Sequence, residues 1–240
     1  MPSHCPHNQQ ASCSDCNLST LCLPLSLELN DLDRVDNVIR RGLPLQKGEQ
    51  LFRSGDRFTS IYAVRSGCFK CTRTTQEGEE QITGFFLPGE IFGLDGLNSN
   101  QYLSTATALE TAAICEIPFD KLESLSREVP SLQRHFFQLM SREINADQEL
   151  ISLLSKNTAE ERVAAMLLSL SARYKRQRLS ATQFIMPMSR MDVGNYLGLT
   201  IETVSRTFSL LKKRGLIDYK GRDIHLHDLI ALQHLAPTYS

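Results

Sequence analysis

SRMDVGNYLGLTIETVSRTFSLLKKRG, running from Ser189 to Gly215, is the stretch whose reading decides the fold. Ser189 is a good N-cap for a helix over Arg190–Leu197. Gly198 supplies a turn, and Thr200 caps a second helix, Ile201–Arg214. Gly215 stands where a C′ glycine ends a helix. Val193, Tyr196, Leu197, Leu199, Val204 and Leu211 can pack the two helices together. A helix, a glycine turn and a capped second helix form the helix-turn-helix layout. Downstream, Leu216–Tyr219, the turn Lys220-Gly221-Arg222 and Asp223–Leu226 read as a β-hairpin, a wing beside the second helix.

Glu202, Thr203, Ser205 and Arg206 lie in the first two turns of that second helix, the end that reaches base edges in such motifs. Arg206 can donate two hydrogen bonds to a guanine, Glu202 can accept one from a cytosine, and Ser205 is less selective. Lys212, Lys213 and Arg214 on the helix, with Lys220 and Arg222 on the wing, are placed for phosphates, which position a protein without carrying sequence information. A small helical protein–protein module is the competing reading. Caps, turn, wing and local charge together favour double-stranded DNA as the partner.

Charge separates along the chain. The net charge is −1, but Lys156–Arg222 carries 13 Lys/Arg against 5 Asp/Glu, or +8, and the remainder carries −9. A basic module on an acidic body points to an anionic partner for the module alone. No apolar run approaches the roughly 20 residues of a membrane span, and no signal peptide opens the chain. The expectation is a cytoplasmic protein with no membrane partner.

Upstream of the module, Glu160–Ala172 reads as a helix, Lys175-Arg176 and Arg178 as a basic loop, and Phe184–Met188 as a short strand. Residues 119–155 have helical periodicity, with Ser131–Ser155 as one helix roughly 38 Å long at ~1.5 Å per residue. Phe137, Met140, Ile144, Ile151 and Leu154 follow a heptad seam with one member replaced by Asp147. A core-facing helix of a monomer does not account for a carboxylate in that seam. A symmetric pair does, because two facing Asp147 side chains weaken association. The expectation is a deliberately marginal dimer helix.

Residues 43–118 read as short β-strands punctuated by Gly48, Gly55, Gly67, Gly78 and Gly89, the pattern of a sandwich or barrel. Ser60–Arg65 and Phe69–Thr74 are the clearest strands. Ser26–Arg41 reads as a short helix before them. The fold class is therefore α+β. Its expected organisation is an N-terminal cysteine arm over 1–24, a β domain over 25–118, a dimerisation helix region over 119–156 and a winged helix-turn-helix domain over 157–240.

The chain has seven cysteines. In a reducing compartment such residues more often bind metal or do redox chemistry than form a disulfide framework. Cys13, Cys16 and Cys22 place three thiols within ten residues, a spacing suited to an iron–sulfur cluster, which usually takes four thiolates. Cys115 and Cys5 are both candidates for the fourth ligand. Cys115 is preferred, since the arm can fold over the β domain. Cys68 and Cys71 stand three apart in a strand, where side chains face opposite ways, so they read as ordinary strand residues. Four thiolates can equally hold zinc, and spacing alone leaves the two metals open. An electron-transfer enzyme is the rival class. It has no support from a glycine-rich dinucleotide motif, a second cysteine cluster or a convergent set among the six histidines, so the chain reads as a non-enzyme.

Four segments resemble the FNR/ANR-type anaerobic regulators of the CRP/FNR family. They are Cys13–Cys22, Glu80–Phe85, Ala113–Phe119 and Gly194–Arg206. The resemblance implies a β-roll of cyclic-nucleotide-binding type, a dimer helix and a winged helix-turn-helix. It implies a [4Fe-4S] cluster on Cys13, Cys16, Cys22 and Cys115, a homodimer while the cluster is intact, and palindromic TTGAT-N4-ATCAA-like sites. Glu202, Ser205 and Arg206 fall on the family's base-reading positions. RNA polymerase is an implied partner, with the turn Gln76–Glu79 as a candidate contact. Cyclic-AMP-binding relatives carry an arginine-containing phosphate cassette after a Gly-Glu step. Here Ile91–Leu109 after Gly89-Glu90 has no Arg or Lys, which predicts no cyclic nucleotide.

Overall fold

The computed structural model describes residues 12–18, 21–22 and 29–236, so Cys5, His4, His7 and the first part of the predicted Ser26–Arg41 helix lie outside the described residues. The chain divides into two compact units, residues 1–142 and 143–240, with the boundary inside one long helix.

In the first unit, helix α1 (Leu29–Val38) precedes strands β1 (Gln50–Phe52), β2 (Ser60–Ser66), β3 (Phe69–Thr74), β4 (Glu80–Phe86), β5 (Ile91–Phe92), β6 (Thr105–Ala108) and β7 (Ala113–Pro118). Helix α2 (Phe119–Glu128) and helix α3 (Pro130–Lys156) follow. The strands form two antiparallel sheets, ordered β1-β6-β3-β4 and β5-β2-β7. α1 stops before Arg41 because Arg40 exchanges both backbone hydrogen bonds with Glu116 of β7, each 2.8 Å, which draws that backbone out of the helix.

Aromatic rings fill the roll. Phe52 stacks on Tyr102 with centroids 3.9 Å apart, and Phe92 lies within 6.1 Å of Phe52, Tyr62, Phe69 and Phe86. Tyr102 donates its hydroxyl to the Ser60 carbonyl at 2.6 Å, so a buried polar end is satisfied. Cys68 and Cys71 are buried in this region, and the β3–β4 register slips between Cys71 and Thr72.

α3 packs Leu132 and Phe136 into this core, with Leu139 and Met140 half-buried against it. On the predicted seam, Phe137, Ile144 and Ile151 are 59%, 55% and 67% exposed, whereas Met140 and Leu154 are half-buried. Asp147 is exposed on the same stripe, and desolvation raises its carboxyl above the ordinary value. No helix among the described residues is long and apolar enough to cross a membrane.

The second unit contains α4 (Ala159–Arg176), β8 (Gln183–Ile185), α5 (Arg190–Leu197), α6 (Ile201–Lys213), β9 (Ile217–Lys220), β10 (Asp223–Leu226) and α7 (Leu229–Leu235). Thr158 and Glu161 form a reciprocal capping box at the start of α4. Contrary to the predicted loop, Lys175 and Arg176 are helical. Their cations favour the negative end of the helix, which closes one residue later as Arg178 adopts φ 60° and Leu179 bonds back to Tyr174. β8 is shorter than predicted and joins the wing as a third strand, ordered β8-β10-β9.

The α5–α6 turn depends on two glycines. Gly198 has φ 63°, where an L side chain is strained. Gly194 is set by close approach, because a Cβ there would sit 2.6 Å from the Leu199 carbonyl oxygen. Gly194→Ala should therefore destabilise the second unit by roughly 1–3 kcal/mol, as overpacking against backbone does. Gly198→Ala should cost about 1–2 kcal/mol. Urea denaturation of both variants checks the claim, and a Gly194→Ala midpoint equal to wild type would refute it.

Candidate functional site

Two sites emerge, one in each unit. In the second, Ser189 and Asp192 cap α5 reciprocally, with Asp192 accepting from the Ser189 hydroxyl at 2.6 Å and its amide at 3.0 Å. Thr200 caps α6 by accepting the Thr203 amide at 3.2 Å. Val204, Thr207, Phe208 and Leu211 bury one face of α6. Glu202, Ser205 and Arg206 are exposed, and their i, i+3, i+4 spacing puts them on one face. Arg206 donates to the Thr203 hydroxyl at 3.2 Å, which orients its fork. Hydrogen bonds to its own amide and to Thr200 hold the Glu202 carboxyl below the ordinary carboxylate value, so it presents an acceptor.

A stack that sequence reasoning missed sets the wing against α6. The Arg190 guanidinium lies 3.3 Å from the Phe208 ring centroid and 5.1 Å from that of Tyr219. Tyr219 meets Phe208 edge-on at 5.8 Å. Burial lowers Arg190 to about 10, and its Nη1 is buried without a hydrogen-bond partner among the described residues. Alternation along β9 and the aromatic at Phe208 were the available signals.

The five predicted phosphate residues differ in what holds them. Arg222 donates to the carbonyls of Met186 (3.0 Å) and Pro187 (2.9 Å), which fastens the wing to the strand before α5. Lys212 pairs with Asp218 at 2.6 Å and Arg214 with Glu160 at 2.7 Å. Lys213 and Lys220 are exposed. Arg162, a basic residue given no role from sequence, donates to the carbonyls of Leu154, Asn157 and Leu197, all at 2.9 Å.

In the first unit, Cys13, Cys16, Cys22 and Cys115 line one cavity together with Arg41 and Arg65. Neither Cys68 nor Cys71 lines it. Cys13 and Cys16 sit in a tight turn, where the Cys16 amide reaches the Cys13 carbonyl at 3.4 Å. Cys22 ends a second turn that starts at Leu18. Cys115 comes from β7, opposite Ala63 of β2. Asp36 of α1 accepts the Cys13 amide at 2.7 Å and pairs with Arg41. His135, buried on α3, donates its Nε2–H to the Cys22 carbonyl at 3.2 Å. Burial, then the hydrogen bond with Asp36, pushes the Cys13 thiol up. Burial also raises Cys115, against the pull of Arg41 and Arg65. Both shifts favour the protonated thiol of Cys13 and Cys115 over the thiolate that a metal group takes, so binding one would release protons. Among the described residues, no three His, Cys, Asp or Glu side chains stand close enough to hold a single metal ion.

Comparison with known proteins agrees with this two-part layout. A cyclic nucleotide-binding domain model matches residues 43–128 and a Crp-like helix-turn-helix domain model matches residues 161–235. Transcriptional activator protein FnrA of Stutzerimonas stutzeri is 52% identical over 228 residues, covering 95% of this chain and 93% of that protein. Transcriptional activator protein anr of Pseudomonas aeruginosa PAO1 is 52% identical over 227 residues, with the same two coverages of 95% and 93%. The solved structure of FixK2 from Bradyrhizobium japonicum superposes with a TM-score of 0.77 at 29% identity, covering 85% of this chain and 100% of that one. The first two of these relatives are named as transcriptional activators. With a β-roll, a winged helix-turn-helix and near-full-length identity of this level, the chain belongs to the CRP/FNR family of DNA-binding transcription regulators, among its FNR/Anr-type anaerobic regulators.

Proposed function

We propose that this regulator senses oxygen through a [4Fe-4S] cluster held by Cys13, Cys16, Cys22 and Cys115, and that it binds palindromic TTGAT-N4-ATCAA-like DNA as a homodimer. The observation that carries the reading is the convergence of these four thiols, and neither Cys68 nor Cys71, on one cavity. A lone zinc ion requires sulfurs about 3.8 Å apart, from Zn–S bonds of ~2.3 Å in a tetrahedron. Four thiols on one cavity are the ligand number that an iron–sulfur cluster usually takes. When bound, the cluster supplies an oxygen-labile cross-link between arm and roll.

The chain's own residues do the rest. The Cys13 amide on Asp36 seats the first turn of the arm beside α1. The His135–Cys22 hydrogen bond ties the last arm cysteine to α3. Arm position thereby bears on the helix whose exposed Phe137, Ile144 and Ile151 form the proposed dimer seam with Met140, Asp147 and Leu154. Facing Asp147 carboxylates oppose pairing, so pairing requires the seated arm. In the dimer, Glu202, Ser205 and Arg206 read bases, and Lys213 and Lys220, with Lys212, Arg214 and Arg222 nearby, meet phosphates. The exposed turn Gln76–Glu79 is the surface assigned to RNA polymerase. The aromatic filling of the roll, and a segment Ile91–Leu109 without Arg or Lys, support the absence of a cyclic nucleotide.

Anaerobically purified protein should absorb broadly near ~400 nm and lose that band in air, as a thiolate-held cluster does. A colourless, zinc-containing chain with undiminished DNA binding in air would sink the sensor reading. Asp147→Ala should sediment as a dimer in air, and a purely monomeric variant would sink the seam. Arg206→Ala should weaken the palindrome by about 1–3 kcal/mol while sparing random DNA. Lys213→Ala should weaken both alike and reduce the salt slope by about 1. Titrations at several salt concentrations separate these two outcomes.

A further inference from the structure

We infer that Arg41 is a positioning residue for the cluster, the donor that sets its reduction potential and its lifetime in air. The inference rests on the four-cysteine reading above. Four observations converge on this side chain. It lines the cysteine cavity. Its side chain is 12% exposed, so water screens it little. Its Nη2 donates toward Cys13 Sγ at 3.5 Å. Its Nε is buried and has no hydrogen-bond partner among the described residues.

The ion pair with Asp36 explains how the fork is held. Asp36 Oδ1 binds the guanidinium and also accepts the Cys13 amide, so one carboxylate fixes the donor and the ligand's backbone together. A planar guanidinium has five N–H donors in rigid geometry. One arm is committed to Asp36 and reaches Cys13, and the Nε–H stays unsatisfied. A buried orphan donor is costly, and a sulfur-rich anionic group in the adjoining cavity is an acceptor that removes this cost. Four thiolates around a four-iron core make that group anionic. Arg65, 8% exposed, adds a second cation to the same wall.

Hydrogen bonds to cluster sulfurs and nearby cations stabilise the reduced, more negative state. Losing the Arg41 donor should therefore make the cluster harder to reduce and easier to oxidise. Lysine keeps the charge but not the fork, so Arg41→Lys should fall between wild type and Arg41→Leu.

The experiment is anaerobic reconstitution of wild type, Arg41→Leu, Arg41→Lys and Asp36→Asn. Iron and sulfide content, midpoint potential by redox titration, and loss of the visible band in air are measured for each. The expected result is a full cluster in wild type and a roughly tenfold shift of the one-electron equilibrium toward oxidised cluster in Arg41→Leu. That shift equals about 59 mV to the negative. Decay in air should be several-fold faster, with smaller changes of the same sign in Arg41→Lys and Asp36→Asn. Folded Arg41→Leu that takes up no iron while Arg41→Lys does would also support the assignment. Potentials and lifetimes equal to wild type in both Arg41 variants would overturn it. Circular dichroism of the apo chains shows whether Arg41→Leu folds, and if it does not, Arg41→Lys and Asp36→Asn decide by the same criterion. A wild-type chain that takes up no iron overturns the cluster reading instead.

Discussion

α3 carries more apolar surface than its own chain can cover. Leu132 and Phe136 bury in the roll, and on the adjoining face Phe137 remains 59% exposed, with Ile144 and Ile151 following at heptad spacing. Full burial of one such side chain is worth roughly 1.5–3 kcal/mol. Three per protomer fall in the same range as the cost of association, about 4–15 kcal/mol. A contact so balanced is decided by small terms. In the proposed dimer one carboxylate pair at Asp147 would be such a term, and so would an arm hydrogen-bonded to the first turns of the same helix through His135. The proposed switch needs no large rearrangement, since a difference of a few kcal/mol in a bistable association is sufficient.

Charge needs the same close reading. The +8 of Lys156–Arg222 suggested a DNA-facing surface, and the winged module is present. Yet much of that charge acts inside the unit. Arg162 joins the end of α3, the start of α4 and the end of α5 through three carbonyls. Arg222 secures the wing, and Arg190 is stacked between Phe208 and Tyr219. These arginines shape the surface from which Arg206, Lys213 and Lys220 project. A charge count cannot separate the two groups, because an arginine's planar fork serves backbone carbonyls and phosphates equally well.

What could be read from the chain was what local chemistry determines. Ser189, Gly198, Thr200 and Gly215 marked the ends of α5 and α6 because caps and left-handed turns depend on residues within four positions. Strands were legible from alternation and glycine turns. Errors arose where distant partners intervened. Ile39–Arg41 left the helical pattern because Arg40 pairs with Glu116. β8 stops short of Met188 because, after the Met186 amide makes a last bond to the Arg222 carbonyl of the wing, Pro187 has no amide to donate. Lys175 and Arg176 are a local exception: they are polar enough for a loop, but their helix propensity carries α4 through them.

The cysteine site divides along the same line. Cys13, Cys16 and Cys22 announce themselves by spacing, whereas Cys115 becomes a neighbour only when β7 lies beside β2 and the arm crosses both. Asp36, Arg41, Arg65 and His135 carried no signal, since their relation to the thiols spans from 23 to 113 positions of sequence in the hydrogen bonds that express it. Three of the four proposed ligands are thus marked locally, and the fourth and the ligand environment are set by the fold. That division has a physical consequence. In the proposed site the thiols would hold the cluster, but its charge, its hydrogen bonds and its reach toward α3 would belong to residues outside any cysteine motif. On this proposal two chains with identical cysteine spacing can differ in oxygen response through side chains such as Arg41 and His135.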